Sequence, residues 1–257
     1  MSFDSNPAET NGAMSGASCQ EQIQSLPIST TPLDELNIVS LDPRYSDDEI
    51  KRVSFVFENR IADLFANSRF AEVVALIQPI IDSFPGIWTP VQEHEDFVIR
   101  AFWDEREFLY YQHFHSKPVR WGLPTLSRLF YLMAAAESRL LQFSLAHASL
   151  LNACKYEPDH PDIWMAKGSL LNRENRFEEA LEAYRTAITT RMWTPPPVIA
   201  NCLHGQGLAL RALHRLAEAK ESLGRAVELA PEHEAATRDL IRVDYDLKEL
   251  RKRHGGA

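Results

Sequence analysis

An all-α fold, a solenoid of stacked helical hairpins, is what this sequence predicts, and three observations predict it. Apolar residues recur at helical spacing in blocks of about 12–20 residues with short breaks between them. One pattern of small and large apolar residues returns down the chain, 34 residues apart at Ala146 and Ala180 and 39 apart at Gly168 and Gly207. No stretch alternates at period two for long enough to suggest a sheet. Composition agrees: 10 glycines in 257 residues are few for phosphate loops and tight turns, and Ala, Leu, Glu and Arg, all good helix formers, dominate the second half.

Residues 1–45 come first. They are rich in Ser, Ala, Asn and Gln, have no periodicity, and are expected to be a disordered acidic segment. Residues 1–50 hold nine acids and one base, Arg44, so most of the net charge of −9 sits there. The near-neutral remainder argues against nucleic-acid binding, which needs a basic footprint. No apolar leader and no run long enough to span a membrane occur. The odd count of three cysteines without a CxxC fits a reducing compartment, and a cytoplasmic location is expected.

Residues 46–85 open with Ser46 and Glu49, spaced as a capping box in which each side chain satisfies the other's free N–H. Phe57, Ile61 and Leu64 give one helix face, and Phe70, Val73, Ile77 and Ile80 a second before Pro85, which makes a hairpin. Residues 86–124 follow the repeat poorly and read as a divergent aromatic-rich helical unit or an insertion. Taken as one helix, 94–115 carries two apolar stripes. Phe97, Val98, Ala101, Phe102, Phe108 and Leu109 form one. Ile99, Trp103, Tyr110 and Phe114 form a second, which is expected either to pack between neighbouring helices of the solenoid or to be kept for a partner. His94 and His113 lie about 28 Å apart along such a helix and cannot share a metal.

Residues 125–231 hold three copies of the hairpin pattern. Phe130, Met133, Ala134, Ala146, Leu150, Ala153 and Pro158 make the first; Trp164, Gly168, Leu171, Ala180, Tyr184 and Ala187 the second; Leu203, Gly207, Leu210, Ala219, Leu223, Ala226 and Pro231 the third. A mid-helix glycine costs roughly 1 kcal/mol against alanine, which is tolerable where a second helix approaches closely. Residues 232–253 carry one stripe, Ala236, Leu240, Val243, Leu247 and Leu250, expected to cap the last hairpin.

The set Trp164, Gly168, Leu171, Ala180, Tyr184 and Ala187 resembles the tetratricopeptide repeat, with Lys167 and Met192 departing from the family's pattern. The resemblance implies a right-handed superhelix and a non-enzymatic protein-interaction module, an adaptor, scaffold or chaperone. Such a module takes a partner's peptide or helix on the concave face, which the first helix of each repeat lines. Carried onto this chain, the lining is Arg128, Tyr131 and Arg139 from the first copy. The second gives Met165, Ser169, Asn172 and Arg173, and the third Asn201, His204, Leu208 and Arg211. Tyr131 and Met165 stand where a clamp for chaperone tails would have lysine, so that clamp is not expected. The recurring Arg139, Arg173 and Arg211 suit the carboxylates of an acidic-apolar peptide. The acidic N-terminal segment is itself such a candidate. No catalytic signature, cofactor motif or metal-ligand spacing is present: Val98 stands where a zinc-protease helix opening with His94-Glu95 needs its second histidine. Two other readings remain open, a regulatory or substrate-binding domain of an enzyme system and a self-assembling structural repeat, with a homo-oligomer possible in either.

Overall fold

The computed structural model describes residues 47–83, 91–103, 105–122, 126–190 and 194–254, which fall in one unit spanning 38–257. The expected disordered segment 1–45 and the capping residue Ser46 lie outside the described residues. Ten helices carry the described chain: α1 (Asp47–Ala66), α2 (Phe70–Ser83), α3 (Glu105–Phe114), α4 (Leu126–Arg139), α5 (Phe143–Tyr156), α6 (Pro161–Arg173), α7 (Phe177–Thr189), α8 (Pro196–Ala212), α9 (Leu216–Leu229) and α10 (Glu234–His254).

The hairpins α1–α2, α4–α5, α6–α7 and α8–α9 share one turn. Each has a residue with positive φ: Ser68 at 57°, Leu141 at 61°, Asn175 at 61° and His214 at 58°. The N–H of the following residue reaches back to a carbonyl five residues earlier: Arg69 to Leu64 at 2.8 Å, Gln142 to Glu137 at 2.9 Å, Arg176 to Leu171 at 2.9 Å and Arg215 to Leu210 at 2.8 Å. This left-handed closure satisfies carbonyls that the ending helix leaves free. In three of the four turns the donor residue is an arginine that forks onto a glutamate three residues on: Arg69 to Glu72, Arg176 to Glu179 and Arg215 to Glu218. The hairpin α1–α2, whose core residues are bulkier, therefore turns by the same device as the others.

Small residues set the spacing of the later hairpins. Ala146, Ala153, Ala180, Ala187, Ala219 and Ala226 are fully buried at the contacts between paired helices. Tyr184 on α7 lies between two glycines. A Cβ on Gly168 of α6 would meet its ring at 2.7 Å, and one on Gly205 of α8 would overlap the same ring. A Cβ on Gly207 would meet Leu223 of α9 at 2.5 Å. One tyrosine thus interlocks three helices. Beyond α9, helix α10 closes the solenoid by burying Ala236 and Val243.

The segment expected as a single helix over 94–115 is corrected by the structure, and so is the expectation that no sheet forms. A three-stranded sheet of order β1-β2-β3 occupies this region: β1 (Val91–Glu93), β2 (Val98–Ala101) and β3 (Val119–Gly122). β1 pairs antiparallel with β2, placing Val91 opposite Arg100 and Glu93 opposite Val98. β2 pairs parallel with β3, from Val98 opposite Val119 to Ala101 opposite Gly122. The parallel pair requires a crossover, and α3 supplies it. Val98 and Ile99, on opposite faces of β2, are both buried, so the strand shows no polar alternation. Its parallel partner lies some twenty residues away, beyond the reach of local periodicity. Phe102 anchors α3 to the sheet through ring contacts with Phe108 at 5.3 Å, Tyr111 at 5.6 Å and Trp121 at 5.9 Å.

Candidate partner-binding groove

Helices α4, α6 and α8 are the first helices of three successive hairpins, and their exposed sides meet along one groove of about 600 Å³. α4 contributes Tyr131 and Arg139; α6 contributes Met165, Ser169, Asn172 and Arg173; α8 contributes Asn201, His204 and Leu208. These nine are the concave positions expected from the sequence, less Arg128 and Arg211. Spacings of three, four and eight keep most of them on one face of their helix, and Arg173 follows Asn172 directly.

Arg128 is engaged elsewhere. Its guanidinium donates to the carbonyl of Trp103 and, through Nη2, to Glu58 Oε2 at 2.7 Å, tying α4 to α1 and to the end of the sheet segment. Burial pushes the Glu58 carboxyl up, and the Arg128 charge pulls it back down in part. Arg211 lines a neighbouring depression of about 450 Å³ with Leu208 and Asp246, and its Nε donates to Asp246 Oδ2 on α10 at 2.9 Å. Its charge is therefore spoken for within the chain. His204 lines the groove but meets Asp239 on α10 at 2.8 Å. Burial alone would raise Asp239; the hydrogen bonds from His204 and Arg242, with their charges, hold it below the usual carboxylate range.

Arg139 and Arg173 differ. Neither makes an ion pair with any described residue. Arg173 Nη1 donates to Ser138 Oγ at 2.8 Å, which brings its guanidinium beside the residue preceding Arg139. Arg139 lies over Phe70 at 5.9 Å and Arg173 over Phe143 at 5.8 Å, each on an aromatic face. The groove floor is neutral and mixed. Asn172 Nδ2 donates to the Gly205 carbonyl at 3.0 Å and to the Tyr184 hydroxyl at 3.2 Å, while its Oδ1 is buried with no partner among the described residues. Burial, with the Asp162 charge second, pushes the Tyr131 hydroxyl up to about 12, so it stays a neutral phenol.

The second expected surface does not form as one stripe. Ile99 is buried in β2, and Trp103, 7% exposed, is buried just beyond it. Tyr110 and Phe114 sit on α3, with Phe114 70% exposed. Trp103 is an internal anchor, as a stripe packed between neighbouring elements would make it, but it sits beyond a strand and not on a helix. It stacks on His160 at 3.7 Å, donates from Nε1 to Glu157 Oε2 at 2.7 Å, and joins Ala134, Leu150, Ile163 and Leu170 in one core cluster. It meets Tyr131, which lines the groove, at 5.1 Å. Among the described residues, no group of three or more His, Cys, Asp or Glu could hold a metal, and no helix is long and apolar enough to cross a membrane.

Comparison with known proteins places the repeats. Two family models, each described as tetratricopeptide repeat, match residues 131–192 and 200–233. The first tetratricopeptide domain of human RPAP3 is similar to this chain at 19% identity, over 49% of this chain and 95% of its own, with a TM-score of 0.44. The first such domain of Spaghetti (RPAP3), solved bound to the HSP90 peptide SRMEEVD, is similar at 20% identity over 48% and 93%, with a TM-score of 0.43. MamA of Desulfovibrio magneticus RS-1 is similar at 21% identity over 49% and 68%, with a TM-score of 0.42. No curated protein matches the chain.

Proposed function

We propose that this chain, whose residues 131–192 and 200–233 match models of the tetratricopeptide repeat, is a non-enzymatic interaction adaptor. Its concave groove takes an acidic-apolar peptide segment of a partner. Tetratricopeptide repeats are stacked units with an extended concave surface, and such surfaces serve binding. The observation that carries the reading is the convergence of nine side chains from α4, α6 and α8 on one groove, with two arginines at one end that have no carboxylate partner among the described residues. The chemistry fits: Met165, Leu208 and the ring of Tyr131 offer apolar contact, Asn172 and Ser169 offer polar atoms to a main chain, and Arg139 and Arg173 pair with carboxylates. A cytoplasmic setting belongs to the same proposal.

The test is affinity capture with the full chain and with Asn201→Glu/Leu208→Glu, which places charge on the groove at two exposed positions of α8. The wild-type chain is expected to retain a defined set of proteins that the double variant loses while melting normally. An identical set on both would overturn the groove as the binding face.

A further inference from the structure

We propose that the partner-binding groove does not end at α8 but continues onto α10, where Arg238, Arg242 and Tyr245 receive acidic residues of the partner's peptide. The inference rests on the peptide-binding reading of the groove and goes beyond it by adding a fourth helix with a chemistry of its own.

Register points to α10. Ile163 and Leu170 on α6, and Cys202 and Ala209 on α8, are buried pairs seven residues apart, and Ala236 and Val243 form the same pair on α10. Cys202 to Ala236 and Ala209 to Val243 are each 34 residues, the interval that separates Ala146 from Ala180. α10 is thus built as the first helix of a further hairpin. The same 34 residues carry the concave positions His204, Leu208 and Arg211 onto Arg238, Arg242 and Tyr245. Their spacing of four and three keeps these three on one face of α10, and all three are exposed. The surface between the two helices is continuous. Leu208 lines both the groove and the neighbouring depression in which Arg211 meets Asp246 of α10.

Charge selects the occupant. Among the exposed described residues of α10, five are bases, Arg238, Arg242, Lys248, Arg251 and Lys252, and one is an acid, Glu234. The three aspartates of α10 are spent within the chain, on His204, Lys220 and Arg211. Arg242 gives Nη1 to Asp239 at 2.8 Å and keeps its side chain 56% exposed, while Arg238 makes no ion pair with a described residue. Like charges four apart on a helix repel. A carboxylate arriving between Arg238 and Arg242 relieves that repulsion and gains charge-assisted hydrogen bonds. Beside them Ile241 and Tyr245, both nearly two-thirds exposed, offer apolar contact to side chains that flank the acids. A second copy of this chain does not fit. Two α10 helices set antiparallel with Ile241 opposite Tyr245 bring Arg238 opposite Lys248, base against base.

The experiment measures fluorescence anisotropy of a labelled peptide of Glu-Glu-Leu triplets, with Gln-Gln-Leu triplets as the uncharged control. The full-length chains are wild type, Arg238→Glu/Tyr245→Ala, Arg225→Glu and Asn201→Glu/Leu208→Glu. Arg225 is an exposed base on α9 that lines neither the groove nor the depression, so its variant makes the same charge reversal elsewhere. Wild type and Arg225→Glu are expected to bind the acidic peptide equally, and Arg238→Glu/Tyr245→Ala at least tenfold more weakly with unchanged melting. The uncharged peptide is expected to bind to none. Arg238→Gln, which removes one charge and keeps most of the stem, is expected to weaken binding in the same direction and replaces the double variant where that one melts early. Undiminished binding by the α10 variants, an equal loss in Arg225→Glu, or no binding by wild type overturns the proposal. So does a dimer in light scattering that Arg238→Glu/Tyr245→Ala dissociates, since a second copy would then cover this face. Loss of the peptide in Asn201→Glu/Leu208→Glu alone leaves the groove standing without α10, so the two readings fail separately.

Discussion

At the scale of the residue, the geometry of this solenoid is set by where a Cβ is absent. Gly168 and Gly205 flank the ring of Tyr184, whereas a Cβ on Gly224 would meet nothing within 4 Å. Opposite outcomes are expected for the same chemical change. Gly205→Ala forces Tyr184 out of its slot and costs about 1–3 kcal/mol by overpacking. Gly224→Ala, in a helix with open space beside it, stabilises by about 0.5–1 kcal/mol through the backbone entropy that glycine loses on folding. Thermal unfolding followed by circular dichroism separates them, and a fall in the melting temperature of Gly224→Ala would show that α9 is constrained there by something other than propensity. Gly168 and Gly207 were legible in the sequence because the repeat places them. Gly205 was not, because its reason lies on the preceding hairpin, in the length of Tyr184 and not in the pattern of its own helix.

At the scale of the element, the turns and the sheet differ in how far their causes extend along the chain. Three of the four hairpin turns carry a local signature, an arginine three residues before a glutamate, and the fourth has Gln142 in the arginine's place, so what closes a hairpin lies within a few residues of its turn even where the core residues degenerate. The cause of the sheet does not. β2 pairs with β3 across the whole of α3, and its strands of three and four residues are too short for a period to declare itself. The aromatic stripe drawn through Ile99, Trp103, Tyr110 and Phe114 consequently divides between two elements and a loop. Trp103→Ala is expected to cost about 3–5 kcal/mol, since it empties a site in the α4–α6 core and leaves Glu157 without its indole donor. Phe114→Ala, at a site 70% exposed, is expected to stay within about 0.5 kcal/mol of wild type. Equal losses in the two would mean that α3 is packed against something through its outer face.

At the scale of the whole molecule, the contacts of α4 with α6 and of α8 with α10 recur at one offset. Arg173 meets Ser138, His204 meets Asp239 and Arg211 meets Asp246, each 35 residues apart. Adding one repeat length to a groove position therefore finds its neighbour, and the neutralisation of Arg211 was present in the sequence for a reader who carried the offset into α10. Arg128 could not be placed that way, because its partners Trp103 and Glu58 lie outside the regular repeats. What the solenoid's linear order means for stability is that each hairpin depends on its neighbours alone. The last one depends on α10, which two carboxylates held below their usual range tie down: Asp239 to His204 on α8, and Asp244 to Lys220 on α9. For a carboxylate whose folded value is depressed, the stabilisation is fully present above its unfolded value of 3.8 and is lost as pH falls through the lower folded value. Asp239→Asn should therefore lower stability by about 1–3 kcal/mol at pH 5 to 7, the range for hydrogen bonds to a charged group. The gap to wild type should close below pH 3.8 as the native carboxylate takes up its proton. Because His204 also lines the groove, the same variant frees its ring at the α8 end, and peptide affinity should change there while Arg139 and Arg173 are untouched. Chemical denaturation of both chains across pH, paired with affinity capture at neutral pH, tests the two consequences together. No stability gap at any pH would show that α10 is held by its apolar stripe alone, and a gap that persists unchanged below pH 3 would show that the carboxylate's charge is not what Asp239 contributes.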